Sequence, residues 1–163
     1  MRVLGIDPGL QVTGYGLLQA KGLRLRVVEA GVLRTDAHQP LAQRVQRLHG
    51  LVSDVVRDLA PDVIAIEELY SHYRHPVTAI LMGHARGVIF LAAAQAGVPV
   101  VSYGATRVKK SLTGAGHASK GQMQRMVQSS LGLKALPEPP DVADALAVAL
   151  CHCNVAVRGV WKR

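Results

Sequence analysis

Two acidic residues each follow an apolar run that has the length of a buried strand. Asp7 follows residues 3–6 and is itself followed by Pro-Gly, and Glu67 follows residues 63–66. A buried strand holds an isolated carboxylate only at high cost, unless a cation or strong hydrogen-bond donors lie beside it. Asp7 can therefore be a metal ligand, a paired structural acid or a turn residue. If the two strands are neighbours, both carboxylates meet at one edge of a sheet.

Two further acids lie at the start of the last predicted helix. Asp141 and Asp144 are three residues apart and so share one helix face, and the small residues Ala143, Ala145 and Ala147 would let this helix approach a sheet closely. Four carboxylates gathered in one place repel one another unless divalent cations neutralise them, and an all-oxygen ligand set suits Mg²⁺ or Mn²⁺. A pair of such ions would support phosphodiester hydrolysis. Taken singly, each acid has an ordinary structural explanation, such as helix capping by Asp141.

The composition is strongly basic. The 163 residues include 19 Lys and Arg against 11 Asp and Glu, giving a net charge of +8. Such an excess favours a polyanionic partner such as nucleic acid, although a solvated basic surface is the simpler alternative. The length predicts one domain over residues 1–157, followed by a short basic tail over 158–163.

The cysteines and the apolar runs favour a soluble cytoplasmic protein. Cys151 and Cys153 are one residue apart, too close to suggest a disulfide framework or an ordinary zinc site. Asp7 interrupts the first apolar run too early for a signal peptide. The most apolar stretch, residues 77–101, contains Arg86, so no uncharged run reaches the roughly 18 residues of a membrane span.

The order of predicted elements indicates an α/β domain. Three clustered strands precede an alternation of helices and strands, which predicts a mixed sheet with helices on both faces. The predicted strands cover residues 1–7, 14–18, 23–34, 63–66 and 97–101, and the predicted helices cover 41–59, 77–96, 105–112, 119–131 and 141–154. The helix over 77–96 is apolar nearly all round. We expect the sheet to cover one of its sides and a second copy of the chain to cover the other, with a central core helix as the alternative.

Taken together, the motifs resemble those of the bacterial RuvC Holliday-junction resolvases. The likeness extends over nearly the whole chain, in order and with the spacing of that family. The matching segments are GIDPG at 5–9, TGYG at 13–16, Ile66-Glu67, GHARG at 83–87, the lysine-containing segment 108–120 and DVADALA at 141–147.

This resemblance implies a ribonuclease H-like α/β fold with a mixed five-stranded sheet, three strands antiparallel and the others parallel. It implies a homodimer that cuts two like-polarity strands of a four-way DNA junction with Mg²⁺ or Mn²⁺, and a partnership with the RuvA–RuvB branch-migration complex. Asp7, Glu67, Asp141 and Asp144 become the catalytic, metal-binding acids, with Glu67 selected over Glu68. Some family members carry His where Asp141 stands, so this chain keeps an all-oxygen site.

The resemblance also implies DNA contacts. Lys109 and Lys120 should lie near the scissile phosphate, and Tyr70 should stack on a base at the opened crossover. His117 could protonate a leaving group. The full set of expected DNA-binding residues is Tyr70, Tyr73, Arg74, Arg107, Lys109, Lys110 and Lys120.

Three other protein classes compete with this interpretation. Actin/Hsp70-type and sugar-kinase proteins also open with a strand, an Asp and a glycine-containing turn, but this chain is short for their two lobes. Another ribonuclease H-like nuclease, of the YqgF type, would prefer other substrates to four-way junctions. A non-catalytic junction-binding module would bind DNA whether or not divalent metal is present and would tolerate acid-to-amide changes.

Overall fold

A computed structural model describes residues 1–69 and 76–157 of the chain. Within these ranges the predicted strands and helices are present, with modest shifts at their ends. The strands are β1 Arg2–Asp7, β2 Val12–Lys21, β3 Arg24–Arg34, β4 Val63–Glu67 and β5 Val100–Tyr103. The helices are α1 Leu41–Leu59, α2 Pro76–Gln95, α3 Ala105–Thr113, α4 Lys120–Leu131 and α5 Pro140–Val157.

The strands form one mixed five-stranded sheet in the order β3-β2-β1-β4-β5. β1, β2 and β3 form an antiparallel meander, and β4 and β5 run parallel to β1 and to each other. β1 therefore lies at the centre of the sheet, and its carboxyl end is level with the carboxyl end of β4. The predicted α/β architecture is confirmed.

Helices cover both faces of the sheet, and the alternation of side chains along β1 separates two apolar cores. Val3 packs in the core shared with α3, α4 and α5. Leu4 and Ile6 pack in the other core, with α1 and α2. Residues of odd number on β1, including Asp7 at its end, therefore face α5.

Glycines on β1 and β2 let α5 lie directly against the sheet. A Cβ atom added at Gly5 would lie 2.0 Å from the carbonyl oxygen of Ala145, and one added at Gly14 would lie 2.1 Å from the carbonyl oxygen of Asp141. No side chain fits at either distance, because real Cβ atoms do not approach a carbonyl oxygen so closely. The close approach of α5 that the alanines predict is thus present, and it depends equally on glycines across the contact.

The start of α4 is fixed by a capping box, as its sequence predicts. The Ser119 hydroxyl accepts from the Gln122 backbone N–H at 3.3 Å, and the Gln122 side chain accepts from the Ser119 backbone N–H at 2.7 Å. This reciprocal pair places Lys120 at the first position of the helix. The capping box thereby positions a basic residue beside the sheet edge where the acids lie.

The helix α2 has one packed face and one apolar exposed face. Ala85 and Ile89 are buried in the core shared with α1, whereas Val77, Ile80 and Leu91 are 68%, 60% and 51% exposed. By length and composition alone, Val77–Gln95 would qualify as a membrane-spanning helix, a test that core helices of soluble proteins also pass. The charge of Arg86 speaks against a membrane span, whereas the length and mean hydropathy of the helix allow one. In this fold the helix is an outer layer whose apolar face lacks cover within the described part of the chain.

Candidate active site

Two of the predicted acids leave the sheet side by side. Ile6 on β1 pairs with Ile66 on the parallel strand β4, so Asp7 and Glu67 follow at the same level. Val63 and Ala65 belong to the core under α5. Alternation therefore places Glu67 on the α5 face of the sheet, together with Asp7, and directs the next residue to the other face.

The first turn of α5 brings the other two acids to the same place. The backbone of Asp141 lies against Gly14, and Gly14 is the partner of Asp7 in the β1–β2 pairing. Asp144, one turn further along α5, lines a cavity of about 250 Å³ together with Glu67. The structure thus collects all four predicted acids at one edge of the sheet. The same cavity is lined by Lys109 of α3 and Lys120 of α4.

Burial and mutual repulsion raise the pKa values of two of these acids. Burial is the largest cause that raises the pKa of Asp7 to about 7, and the negative charges of the other three acids add to it, Asp144 most. Burial is also the largest cause that raises the pKa of Glu67, followed by the charge of Asp144. Nearby cations oppose both shifts without cancelling them, Lys120 among them. Burial and the neighbouring acids thus both disfavour the ionised carboxylates in the absence of a further cation.

Lys120 is the cation most closely engaged with the acids. Its Nζ atom lies 3.3 Å from Oδ2 of Asp144, and this charge is the largest cause that raises the pKa of Lys120. Both side chains retain solvent contact, at 68% and 28% relative exposure. The ion pair can therefore open at little cost when another cation or a phosphate enters.

The donor set fits an oxygen-preferring divalent cation. All four groups are carboxylates, and burial together with the charges of the other acids raises the pKa of Asp7, which a bound cation would offset. Within residues 1–69 and 76–157, no three His, Cys, Asp or Glu side chains are already arranged so that they could hold a metal ion. Binding would therefore require the acidic side chains to converge from their present rotamers.

The remaining predicted residues are distributed over several surfaces. Arg107 and Lys110 line a separate cavity of about 660 Å³ on the other side of α3, together with Glu68. His117 lines a third cavity, with Arg125, that shares no residue with the acidic one. Tyr70, Tyr73 and Arg74 lie outside the described residues.

The Cys-His-Cys segment lies away from the acids. Cys151 and Cys153 are free thiols buried in the core under α5. His152, between them, is hydrogen-bonded through Nδ1 to the Tyr103 hydroxyl at 2.8 Å. These contacts explain all three residues as parts of the packed interior.

Sequence reasoning missed two kinds of residue that shape this site. The glycines Gly5 and Gly14 set the distance between α5 and the sheet. Arg86 donates from Nη1 to the backbone carbonyl of Glu67, from the side of the sheet opposite to α5. Its signal in the sequence is its position as the sole Lys or Arg in an otherwise apolar helix.

A mixed sheet in this strand order, with carboxylates at the ends of two adjacent parallel strands and a helix crossing them, is the arrangement of ribonuclease H-like proteins. The family model described as crossover junction endodeoxyribonuclease RuvC matches residues 3–152. The chain therefore belongs to the RuvC family of crossover junction endodeoxyribonucleases, and the resemblance stated from its motifs is confirmed.

Individual relatives agree with this assignment. A protein of Rhodopirellula baltica named crossover junction endodeoxyribonuclease RuvC is 53% identical over 149 residues, covering 91% of this chain and 84% of the relative. The structure of T. thermophilus RuvC in complex with Holliday junction substrate matches with a TM-score of 0.92 at 42% identity, covering 99% of this chain and 98% of that one. The yeast mitochondrial Holliday junction resolvase Ydc2 shares the fold, with a TM-score of 0.68 at 15% identity, 97% of this chain and 80% of that one being covered.

Proposed function

We propose that this protein is a structure-selective endonuclease that resolves four-way DNA junctions during recombination and repair. It cuts two opposed strands by divalent-metal-dependent hydrolysis and leaves 5′-phosphate and 3′-hydroxyl ends. The observation that carries this proposal is one cavity in which Glu67, at the end of β4, and Asp144, on α5, face two lysines, in a chain of the RuvC family. The carboxylates suit metal ions, and the lysines suit the phosphate that those ions would hold.

Each group has a distinct part in the proposed reaction. Asp7, Glu67, Asp141 and Asp144 would hold two Mg²⁺ or Mn²⁺ ions, which when bound supply the positive charge that activates water and stabilises the leaving oxygen. Lys120 releases Asp144 and binds a non-bridging oxygen of the scissile phosphate. Lys109 of α3, which lines the same cavity, binds the same phosphate. Both lysines thereby offset the charge that develops in the transition state.

A substrate comparison tests this function directly. Four-way junctions, linear duplexes and RNA–DNA hybrids are each incubated with the protein, with and without Mg²⁺. We expect cleavage of the junction alone, in the presence of metal, at symmetric positions in two strands. DNA ligase should seal the products, because the ends carry 5′-phosphate and 3′-hydroxyl groups. Preferential cleavage of the hybrid would instead favour a nuclease of the YqgF type, and junction binding without cleavage would favour a binding module.

Replacing Lys120 by Met should slow junction cleavage by about 100-fold, the usual order of loss when one group that stabilises transition-state charge is removed. Junction affinity should change little, since the remaining cations still contact the backbone. Single-turnover rates at saturating protein, together with gel-shift affinities, separate the two effects. The matched control is Lys134→Met, because Lys134 is exposed beyond the end of α4 and outside the cavity. Equal rates in both variants would exclude Lys120 from the reaction.

The exposed face of α2 supports assembly as a homodimer. Val77, Ile80, His84, Gly87 and Leu91 recur at spacings of three and four and are all exposed. Such a stripe is the pattern by which two helices pack, and a two-fold axis would bury it against its own copy. Two active sites related by that axis would then face opposed strands of one junction. This interface would cover the apolar surface that residues 1–69 and 76–157 leave exposed.

Replacing Leu91 by Glu should convert the dimer to a monomer, because the interface would bury an unpaired carboxylate. Analytical ultracentrifugation measures the change in mass. In a supercoiled cruciform plasmid, the variant should produce nicked circles rather than linear molecules, since paired cuts need two linked sites. Gln46→Glu introduces the same charge at an exposed position on α1 and should leave both measurements unchanged. A Leu91→Glu variant that stays dimeric would place the interface elsewhere.

Further basic and aromatic residues outside the acidic cavity are proposed to contact the DNA arms. Arg107 and Lys110 are exposed and form no ion pair within the described part of the chain, so both are available to DNA phosphates. Tyr70, with Tyr73 and Arg74, is proposed to contact the opened crossover. We also propose that the RuvA–RuvB branch-migration complex is a partner of this protein. We propose the cytoplasm as the compartment in which it acts.

A further inference from the structure

One guanidinium lies behind the acidic cluster, on the other side of the sheet. Arg86 extends from α2, and its Nη1 atom donates to the backbone carbonyl of Glu67. Its Nη2 atom lies 3.4 Å from the hydroxyl oxygen of Ser102 on β5. The guanidinium carbon lies 5.3 Å from the centroid of the Phe90 ring, one helical turn further along α2. A single side chain therefore links α2 to the ends of two adjacent strands.

Arg86 binds the backbone carbonyl oxygen of Glu67, which belongs to the peptide group at the end of β4. Glu67 is the last residue of β4, and the next backbone N–H donates to the Tyr103 carbonyl at 2.9 Å. The peptide group that leaves Glu67 is thus fixed on its N–H side by β5 and on its carbonyl side by Arg86. These two bonds hold the backbone of Glu67 at the end of β4, beside Asp7. Holding the Cα atom in place keeps the origin of the Glu67 side chain within reach of the other acids.

We propose that Arg86 is a positioning residue, which holds the end of β4 so that the Glu67 carboxylate is oriented for metal binding. This inference rests on the proposed function only in assuming that the four acids bind the metal ions. Arg86 lies on the face of the sheet opposite to α5 and acts on the site through the backbone of Glu67. It resembles the outer hydrogen-bond partners of metal ligands, whose loss commonly lowers metal affinity or activity by about 10- to 100-fold.

The same residue also lies near the surface proposed for dimerisation. Phe90, which packs against the guanidinium, is 38% exposed and directly precedes Leu91, a member of that surface. A second copy that covers Phe90 would exclude water from the guanidinium and strengthen its bond to the Glu67 carbonyl. Docking on α2 would thus act on Arg86 through Phe90, and Arg86 in turn holds the backbone of Glu67 through its hydrogen bond.

Metal titrations of an Arg86→Gln variant test this role. The first measurement is Mn²⁺ binding in the absence of DNA, by calorimetry or by loss of the free-ion paramagnetic resonance signal. We expect the apparent dissociation constant to rise by about 10-fold or more. The single-turnover cleavage rate at saturating junction should fall by a similar factor at low metal concentration and recover in part at high metal concentration. Junction affinity should remain within about two-fold of the wild type. Arg86→Lys, which retains a donor and the charge, should restore part of the metal affinity.

Arg2→Gln is the matched control. Arg2 donates from Nε and Nη2 to the Leu59 carbonyl at 3.1 and 2.7 Å, a similar contact between an arginine and a backbone carbonyl, remote from the acids. It should lower the melting temperature without changing Mn²⁺ affinity. If Arg86→Gln behaves in the same way, the residue is merely structural and the proposal is wrong.

Two further results complete the test. If Arg86→Gln does not fold, Ser102→Ala removes the second acceptor of the guanidinium, and an unchanged Mn²⁺ affinity in both that variant and Arg86→Lys would overturn the proposal. Mn²⁺ binding and junction cleavage by the wild type show whether a negative result contradicts the role of Arg86 or the proposed function. A wild type that neither binds Mn²⁺ nor cleaves junctions contradicts the function itself. A wild type that does both, beside an Arg86→Gln variant with the same metal affinity, contradicts the role of Arg86 alone.

Discussion

Asp7→Asn is expected to reduce Mg²⁺-dependent junction cleavage by roughly 10⁴-fold, the order of loss when a catalytic aspartate is replaced by asparagine. The charges of the other three acids and of Lys120 all act on the Asp7 carboxyl group. The amide retains the shape of the side chain but loses the charge that would bind a cation. Junction binding should survive, because the cations that contact DNA are unchanged. Cleavage is followed under single-turnover conditions and binding by gel shift in Ca²⁺.

The same substitution should stabilise the metal-free protein at neutral and higher pH. The pKa of Asp7 rises from 3.8 in the unfolded chain to about 7 in the folded one, so the folded state holds a proton that the unfolded state releases. Stability is therefore lost as pH rises between about 4 and 7, and above that range the loss reaches up to about 4 kcal/mol. Asn removes this loss. We expect the melting temperature of the variant in EDTA to exceed that of the wild type by several degrees at pH 8 and to equal it near pH 4.

Adding metal should reverse the difference in melting temperature between the wild type and Asp7→Asn. Mg²⁺ or Mn²⁺ binds the folded wild type and raises its melting temperature by mass action, whereas the variant gains little. Asp58→Asn, an exposed acid on α1 that pairs with Arg57, should show neither effect. Cleavage by Asp7→Asn at the wild-type rate would remove Asp7 from the metal site. A metal-free variant that is less stable than the wild type at pH 8 would contradict the raised pKa of Asp7.

Much of this site follows from patterns that short segments carry by themselves. A buried strand that ends in a carboxylate is visible in residues 3–7 and again in 63–67, and two such strands in one sheet bring their acids together. The spacing of Asp141 and Asp144 places them on one helix face wherever the helix lies. The ordered motifs then identify the family, which the family model confirms.

What the sequence alone left open depends on long-range contacts. Spacing cannot choose between Glu67 and Glu68, because both follow the same strand. The choice depends on which face of β4 lies under α5, and that is settled by the pairing of β4 with β1 and by the core that Val63 and Ala65 join. Arg86 is equally hidden, since its acceptor is a backbone carbonyl 19 residues away that no side-chain pattern reveals.

The close contact between α5 and the sheet leads to the second large prediction. Gly14→Ala should disable the site although no acidic residue is replaced. The new Cβ would lie 2.1 Å from the Asp141 carbonyl oxygen and 3.0 Å from the Asp141 Cβ. Both atoms belong to the first turn of α5 rather than to a flexible side chain, so the helix end or β2 must move. Overpacking of this kind costs roughly 1–3 kcal/mol or more. The displaced turn carries two of the acids, and a misplacement of about 1 Å can lower the rate about 100-fold.

Gly50→Ala separates this steric effect from the general consequences of replacing glycine. Gly50 is an exposed residue inside α1, and a Cβ added there meets no atom within 4 Å. That variant should gain about 0.5–1 kcal/mol, because alanine is the better helix residue, and should cleave junctions normally. Denaturant titrations and single-turnover rates, both measured well below the melting temperature of either variant, give the comparison. If Gly14→Ala cuts junctions as fast as Gly50→Ala, the acids of α5 do not need the close contact between helix and sheet.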